Sequence, residues 1–499
     1  MGSYIGIDLG TTFSAVAVID ETGRPTIVHN EDGVNITPSV VTKKDNNTIE
    51  VGKFAKRQWG IDETKAAARF KRNMGSSKKH FIGNQEFTPT ELSTFVLKKL
   101  LKETKKSVGN ISEAVVTIPA NFSNEAREAT MSAAKSAGLN VKFIINEPTA
   151  AALYYAFKSG EKLSGTYAVY DLGGGTFDIS IIRVQGQDVD VLATNGLSRL
   201  GGDDFDTALQ QIVSNKYKNE TGEALQAGDY TKNDAEEDKK SLSKRDSIFT
   251  KIVRTGIDIS RNEFEEAISK YIAQTEMICE STLDEAGIQP SDIQGVLLAG
   301  GSTRTPAIRK SVEKVFKQKP LDTINVDEIV ALGAALYCAY KGDQSELTSV
   351  QKNALNKIKV KETTSKCFGI LVMNYDNAKN QERLQNRVLI NKGDKIPTSV
   401  SETFYTVKDG QENVKCSITE STTPETDPSF VKIIWEGDLK LPPGRKQGQK
   451  IKVSYAYDDN QIMKCSFIDE ATGNENVVDL SLGASDQVDT TGIDKFLVE

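Results

Sequence analysis

The chain has 499 residues, enough for roughly three domain-sized units at about 150 residues each. Charged residues make up 26% and hydrophobic ones 38%, an ordinary globular composition that excludes a disordered or membrane-spanning chain. Lys plus Arg (62) against Asp plus Glu (69) gives a formal charge of −7, which excludes the electrostatic footprint of a general nucleic-acid binder.

The opening MGSYIGIDLGTT runs straight into strand-like sequence without a basic or apolar leader, so no secretory signal is expected. From there to about Tyr340, short β-branched runs alternate with helical stretches, the pattern of an α/β protein. VVTIP (Val115–Pro119) precedes the helical NEAREATMSAAKSAG, and VKFII (Val141–Ile145) precedes the helical EPTAAALYYAF. The longest apolar stretch, Ile329 to Tyr340, has 12 residues. That is too short for a bilayer, which needs about 20. Residues 341–366 carry six lysines and read as a solvent-exposed linker. Beyond it, FVKIIWEG, KIKVSYAYDD and IMKCSFIDEATGNENVVDLSL alternate by two between polar clusters, a β-rich module of sandwich type. The expected units are therefore 1–340, a linker 341–366, a β-module 367–483 and a tail 484–499. The five cysteines are scattered and odd in number, without a CxxC pair. They favour neither a disulfide framework nor a zinc site, and point to a reducing, cytoplasmic setting.

One internal echo organises the first unit. YIGIDLGTTFSAVAVID (Tyr4–Asp20) and YAVYDLGGGTFDISIIRV (Tyr167–Val184) share the order apolar strand, Asp-Leu-Gly, Gly/Thr turn, Thr-Phe, apolar strand. Two such hairpins suggest two related lobes. Their glycines permit tight turns and let backbone N–H groups approach an anion, while Thr11, Thr12 and Thr176 add hydroxyls. Each turn opens with a carboxylate, Asp8 or Asp171, which a phosphate would repel unless a cation stood between. Mg²⁺ with its waters against a polyphosphate is the economical reading. No GxxxxGK[ST], GxGxxG or HExxH occurs. A third turn, GVLLAGGSTRTPAIRK (Gly295–Lys310), leads a strand through Gly300 and Gly301 into a helix start, a place that favours anions but also occurs in many α/β folds. Lys71, in the basic run ARFKRNMG, reads from spacing alone as a solvated face. Glu147 reads equally as an acidic complement to a helix dipole.

These blocks together carry a resemblance. GIDLGTTFS, NITPSVV, VVTIPANF, GLNVKFIINEPTAAAL, VYDLGGGTFDIS, RLGGDDFD, VLLAGGSTRTP and DEIVALGAA occur in the order of the seventy-kilodalton heat-shock chaperones of the DnaK type, from about Tyr4 to Leu482. Sugar kinases and actin are similar only in the phosphate and adenosine turns. The resemblance implies an actin-like two-lobed ATPase followed by a β-sandwich that grips extended peptides, with ATP or ADP, Mg²⁺ and K⁺ as cofactors. By matching position, Gly10, Thr11, Thr12, Gly173, Gly174, Gly175 and Thr176 would hold phosphate oxygens. Asp8, Glu147 and Asp171 would surround hydrated Mg²⁺, and Asp178 a potassium ion. Lys71 would meet charge on the γ-phosphate, with Glu147, Asp171 and Thr176 completing the catalytic set. Glu236, Lys239, Lys240, Ser243, Gly300, Gly301, Ser302, Arg304 and Asp327 would form the adenosine site, Lys240 and Arg304 stacking on the base. Pro119 and Arg127 would be the interlobe switch. Ile370, Met373, Phe404 and Val414 would line the peptide groove, although each reads as well as sandwich core.

Three departures stand against a standard family member. LTSVQKNALNKIKVKETT replaces the short apolar linker, and its lysines argue against docking between lobes. Only about 16 residues follow VVDLSLG, so no helical lid is expected and peptide release should be fast. Phe143 stands where relatives carry the Arg that meets J-domain partners. The expected function is an ATP-dependent chaperone acting on unfolded polypeptides, with a nucleotide-exchange factor and a J-domain protein as partners and neither nucleic acid nor membrane. The rivals are a nucleotide-binding regulator of the same fold and a metabolite kinase.

Overall fold

A computed structural model describes residues 2–44, 47–160, 164–186, 188–226, 228–321, 325–355, 358–376, 381–458, 462–480 and 492–499. The chain divides into two compact units, Met1–Val360 with Val488–Glu499, and Lys361–Gln487.

The first unit contains the two lobes that the echo suggests. In the first lobe, the hairpin Ser3–Asp8 and Phe13–Ile19 pairs antiparallel, Ile5 opposite Val18 and Asp8 opposite Ala15. Ile111–Ile118 lies parallel on its other side, followed outward by Val141–Asn146. In the second lobe, Ser164–Leu172 and Phe177–Gln185 form the matching hairpin, Asp171 opposite Asp178. Ile293–Ala299 lies parallel beside it, where Ile111–Ile118 lies in the first lobe. The shared order follows from the shared pattern: both hairpins are apolar on both faces, so both must be covered by helices.

Two helices form that cover, Glu147–Ser159 and Ile329–Lys341. Their alanines let them cross closely. A Cβ on Gly333 would stand 1.7 Å from the carbonyl oxygen of Ala150, so only glycine fits there. The resulting core takes Tyr4, Ala15 and Val115 from one lobe and Val169, Ile182 and Leu297 from the other. Two insertions complete the lobes. Residues 40–87 carry the small sheet whose last strand, Ala66–Ala68, delivers Arg69 to Arg72 to the interlobe side. Residues 202–286 carry helices Gly202–Thr221, Lys232–Leu242 and Arg261–Ala286.

The structure differs from the expected boundaries at both ends of the second unit. Residues 341–355 and 358–360 are not a solvated linker. Leu347, Leu355 and Ile358 are buried in the interlobe core, and Lys359–Lys361 forms the edge strand beside Asp188–Leu197. The lysine count misled because the segment alternates: Lys359 and Lys361 are exposed while Val360 packs inward. Nor is 492–499 a free tail. Leu497–Val498 adds to Thr48–Val51 in the first unit, outside Val40–Lys43 and Ala66–Ala68. The expected boundary at 483 and 484 lies outside the described residues.

In the second unit, two four-stranded antiparallel sheets share one apolar core. One contains Cys367–Asp376, Gln381–Ile390, Asn413–Ser421 and Lys432–Lys440; the other contains Thr398–Tyr405, Lys450–Tyr457, Met463–Asp469 and Glu475–Asp479. Phe368, Ile390 and Ile418 meet Ile451, Tyr455 and Phe467 between them. All five cysteines are free and buried. Among the described residues no helix is long and apolar enough to cross a membrane.

Candidate functional site

A cleft of about 600 Å³ opens between the lobes, within the range of nucleotide-sized sites. It gathers most of the residues that the motifs single out. Asp8, Gly10, Thr11 and Thr12 line it from the first hairpin, and Asp171, Gly173, Gly174 and Thr176 from the second. The two turns touch: a Cβ on Gly174 would stand 1.8 Å from Thr12 Oγ1, and one on Gly175 would meet Thr11 Cγ2 at 2.7 Å. Glycine is therefore what lets backbone amides from both lobes face one space. Further in, Ser302 Oγ donates to the Gly173 carbonyl at 2.8 Å, which fixes the third turn against the second.

Lys71 is buried, 4% exposed, and its Nζ lies 2.5 Å from Glu147 Oε1. The solvated-face reading fails for it. Glu147 does open its helix, but its carboxylate is buried against this lysine. Around the pair stand three more carboxylates. Burial, then repulsion from Glu147, pushes Asp8 up to about 7. The same two causes push Asp178 up to about 8 and hold Asp171 well above the usual carboxylate range. Three carboxyls lining the cleft beside one lysine, those of Asp8, Glu147 and Asp171, fit a site that takes up positive charge. Among the described residues no three His, Cys, Asp or Glu side chains group closely enough to hold an ion directly.

The residues expected to hold adenosine, Glu236, Lys239, Lys240, Ser243, Gly300, Gly301, Ser302, Arg304 and Asp327, line the same cleft. Lys240 and Arg304 are engaged there. Lys240 pairs with Glu236 at 2.8 Å and lies over the Phe13 ring at 5.5 Å. Arg304 pairs with Asp327 at 2.5 Å. Asp178 is turned away from the cleft, onto the backbone amides of Ala120 and Asn121. That is the segment beginning at Pro119, whose carbonyls at Ala120 and Phe122 accept from Arg127. Asp178 thus meets, from the other lobe, the segment that Arg127 braces.

Sequence reading missed the ion pairs at the mouth. Arg69 contacts Asp203 and, at 3.3 Å, Asp206; Arg72 contacts Asp204 at 3.1 Å. Lys239 reaches Asp206 at 2.6 Å, and Lys56 reaches Glu236 at 2.8 Å. Burial opposes ionisation of Glu236, yet Lys56 and Lys240 hold its carboxyl down at about 2. The signal was present as a basic run, ARFKRN, and an acidic run, GGDDFD, whose pairing no local pattern reveals.

The peptide-groove residues are only partly brought together. Ile370 is buried in the core of the second unit, and Phe404 and Val414 pack partly buried against that core. Met373 stands apart, 44% exposed and paired with Leu384. The sheet itself has an opening. Cys367–Asp376 pairs with Asn413–Ser421 at only three positions, Cys367 to Gly369. Beyond them Leu371 N–H donates to Ser417 Oγ at 3.0 Å, a side chain in place of a ladder partner.

Two lobes of matching topology around a cleft lined by paired Gly/Thr turns are consistent with an actin-like ATPase fold. The family described as Hsp70 protein matches residues 4–82 and 78–498, and the chain belongs to that family. Its members are ATPases and chaperones that bind ATP or ADP with Mg²⁺, unfolded peptides and co-chaperones.

Proposed function

We propose that the protein hydrolyses ATP in the interlobe cleft and uses the second unit, a β-sandwich, to grip extended apolar segments of unfolded polypeptides. The observation that supports the ATPase half is the buried Lys71 beside Glu147, at the meeting of two turns whose glycines leave room for phosphates. Asp8, Glu147 and Asp171 would hold Mg²⁺ through its waters, and when bound the ion screens phosphate charge from these carboxylates. Thr11, Thr12 and Thr176 donate to phosphate oxygens, and Lys71 turns from Glu147 to the charge that develops on the transferred group. Asp178 meets the amides of Ala120 and Asn121, while its Oδ1 is buried without a hydrogen-bond partner, an oxygen that a potassium ion would satisfy.

The parting of Cys367–Asp376 from Asn413–Ser421 supports the peptide half, since two separating strands offer edges to which an extended chain adds by strand pairing. Phe143, where relatives carry Arg, is partly buried against the interlobe core. It offers a J-domain partner no cation, whereas a nucleotide-exchange factor remains a fitting partner. ATP turnover measured with and without an unfolded apolar peptide tests the reading. Turnover that rises with peptide is expected; ATP binding without turnover or peptide response would instead favour the regulator.

A further inference from the structure

The two ends of the second unit lead to different lobes. Its entry follows the strand Lys359–Lys361, which lies beside Asp188–Leu197 in the second lobe's sheet. Its exit leads to 492–499, which is built into the first lobe. Leu497 pairs with Thr48 and Val498 with Ile49, in parallel. Glu499 N–H donates to the Ile49 carbonyl at 2.8 Å, and Val51 N–H donates to the Glu499 carbonyl at 3.2 Å. Phe496 completes an aromatic triad with Phe87 and Phe95, centroids 5.8 and 5.7 Å away. Ile493, Phe496 and Val498 are buried. Lys44 pairs with Glu499 at 3.0 Å and Lys98 with Asp494 at 3.4 Å.

We propose that 492–499 is a releasable anchor, which with the Lys359–Lys361 strand makes the second unit a covalent strap between the two lobes, so that ATP binding loosens this anchor. Two attachments on one lobe would be indifferent to movement of the lobes against each other. Attachments on two lobes are not, and a ligand bound between lobes shifts their relative rotation. Of the two anchors, 492–499 is the one that yields. It rests on two ladder pairs, three buried side chains, the ion pairs of Lys44 and Lys98, and a hydrogen bond from Lys102 Nζ to the Val498 carbonyl at 3.1 Å, set against the ordering of eight residues. The other continues from the buried Leu347, Leu355 and Ile358. Coupling of this kind is reciprocal: if ATP disfavours docking, docking weakens ATP by the same factor.

The inference rests on the proposed nucleotide cleft, and its test separates the two. Zero-length carbodiimide cross-linking of the full chain, read by mass spectrometry, reports amides between Lys98 and Asp494 and between Lys44 and Glu499. ATP binding is measured apart, by calorimetry. The cross-links should form in the nucleotide-free protein and fall at least threefold with Mg·ATP. Glu499→Pro removes one ladder N–H while leaving the aromatic triad in place. It should lower the Lys98–Asp494 cross-link at least threefold and tighten ATP. Absence of both cross-links in the nucleotide-free chain, or yields unchanged by ATP that calorimetry shows to be bound, would overturn the anchor. If calorimetry shows no ATP binding, the nucleotide reading falls, and with it the loosening by ATP, while the nucleotide-free cross-link still decides whether the anchor docks.

Discussion

Lys71 shows how much one position can hide. In the sequence it stands in a run of basic residues, the usual mark of a solvated face; in the structure it is buried against Glu147. A cation held there meets negative charge that grows in the transition state, and losing one preorganised donor of that sort costs roughly 3 kcal/mol, about a hundredfold in rate. Lys71→Ala should therefore keep ATP binding and lose most turnover in single-turnover hydrolysis at saturating nucleotide; an unchanged rate would remove Lys71 from the mechanism. Asp171 gives the companion test. If it faces a hydrated ion, Asp171→Asn should abolish the gain in ATP affinity that Mg²⁺ brings, in titrations with and without EDTA. These two residues differ in legibility. Asp171 could be read because a strand carboxylate beside a Gly/Thr turn needs a cation to make chemical sense. Lys71 could not, because its partner is 76 residues away and only the fold joins them. The same holds for Arg69 and Arg72, whose carboxylates lie on the other lobe.

Among elements, those with a strong local pattern were readable and those made by tertiary addition were not. The two hairpins announce themselves by repetition. Leu497–Val498 is too short to carry a period, and it becomes a strand only because Thr48–Val51 has an edge to accept it. The Asp469–Asn474 turn of the second unit is a further case. Asp469 is fully buried and closes the turn through Ala471 N–H and Thr472 Oγ1, while Arg445 pairs with it at 2.5 Å. Burial alone would raise its carboxyl, but Arg445 and these donors hold it below the usual range. Breaking a buried pair from one side costs about 3–5 kcal/mol, so Asp469→Ala should destabilise the second unit by that order. The chain has two tryptophans. Trp435 stacks on Phe467 at 5.6 Å, so denaturant unfolding followed by fluorescence in a Trp59→Phe background reports this unit alone. The sign with pH follows from the depressed carboxyl. Its stabilisation is present above about pH 4, the unfolded value, and is lost as pH falls through the lower folded one. The advantage over Asp469→Asn should therefore shrink in acid.

On the scale of the whole molecule, the question is how nucleotide and peptide sense each other. The lysines of 352–361 suggested that no docking was possible, hence weak coupling. The structure reverses the premise, since alternation sends Lys359 and Lys361 to solvent while Ile358 is buried at 1% exposure. A segment packed into the interlobe core and paired to the edge of the second lobe's sheet can differ in free energy between nucleotide states, which is the requirement for coupling. ATP should therefore speed peptide release more than tenfold over ADP, a coupling of at least about 1.4 kcal/mol. Ile358→Asp places an unpaired charge in that core and should expel the segment. Turnover without peptide should then stay within about threefold, because the mutated side chain is absent from the cleft lining, while the ATP effect on release should fall below about threefold. Peptide dissociation followed by fluorescence in both nucleotide states decides it. A variant that still released peptide tenfold faster with ATP would show that coupling bypasses this strand, and equal rates in the unmutated protein would show that docking here carries no signal.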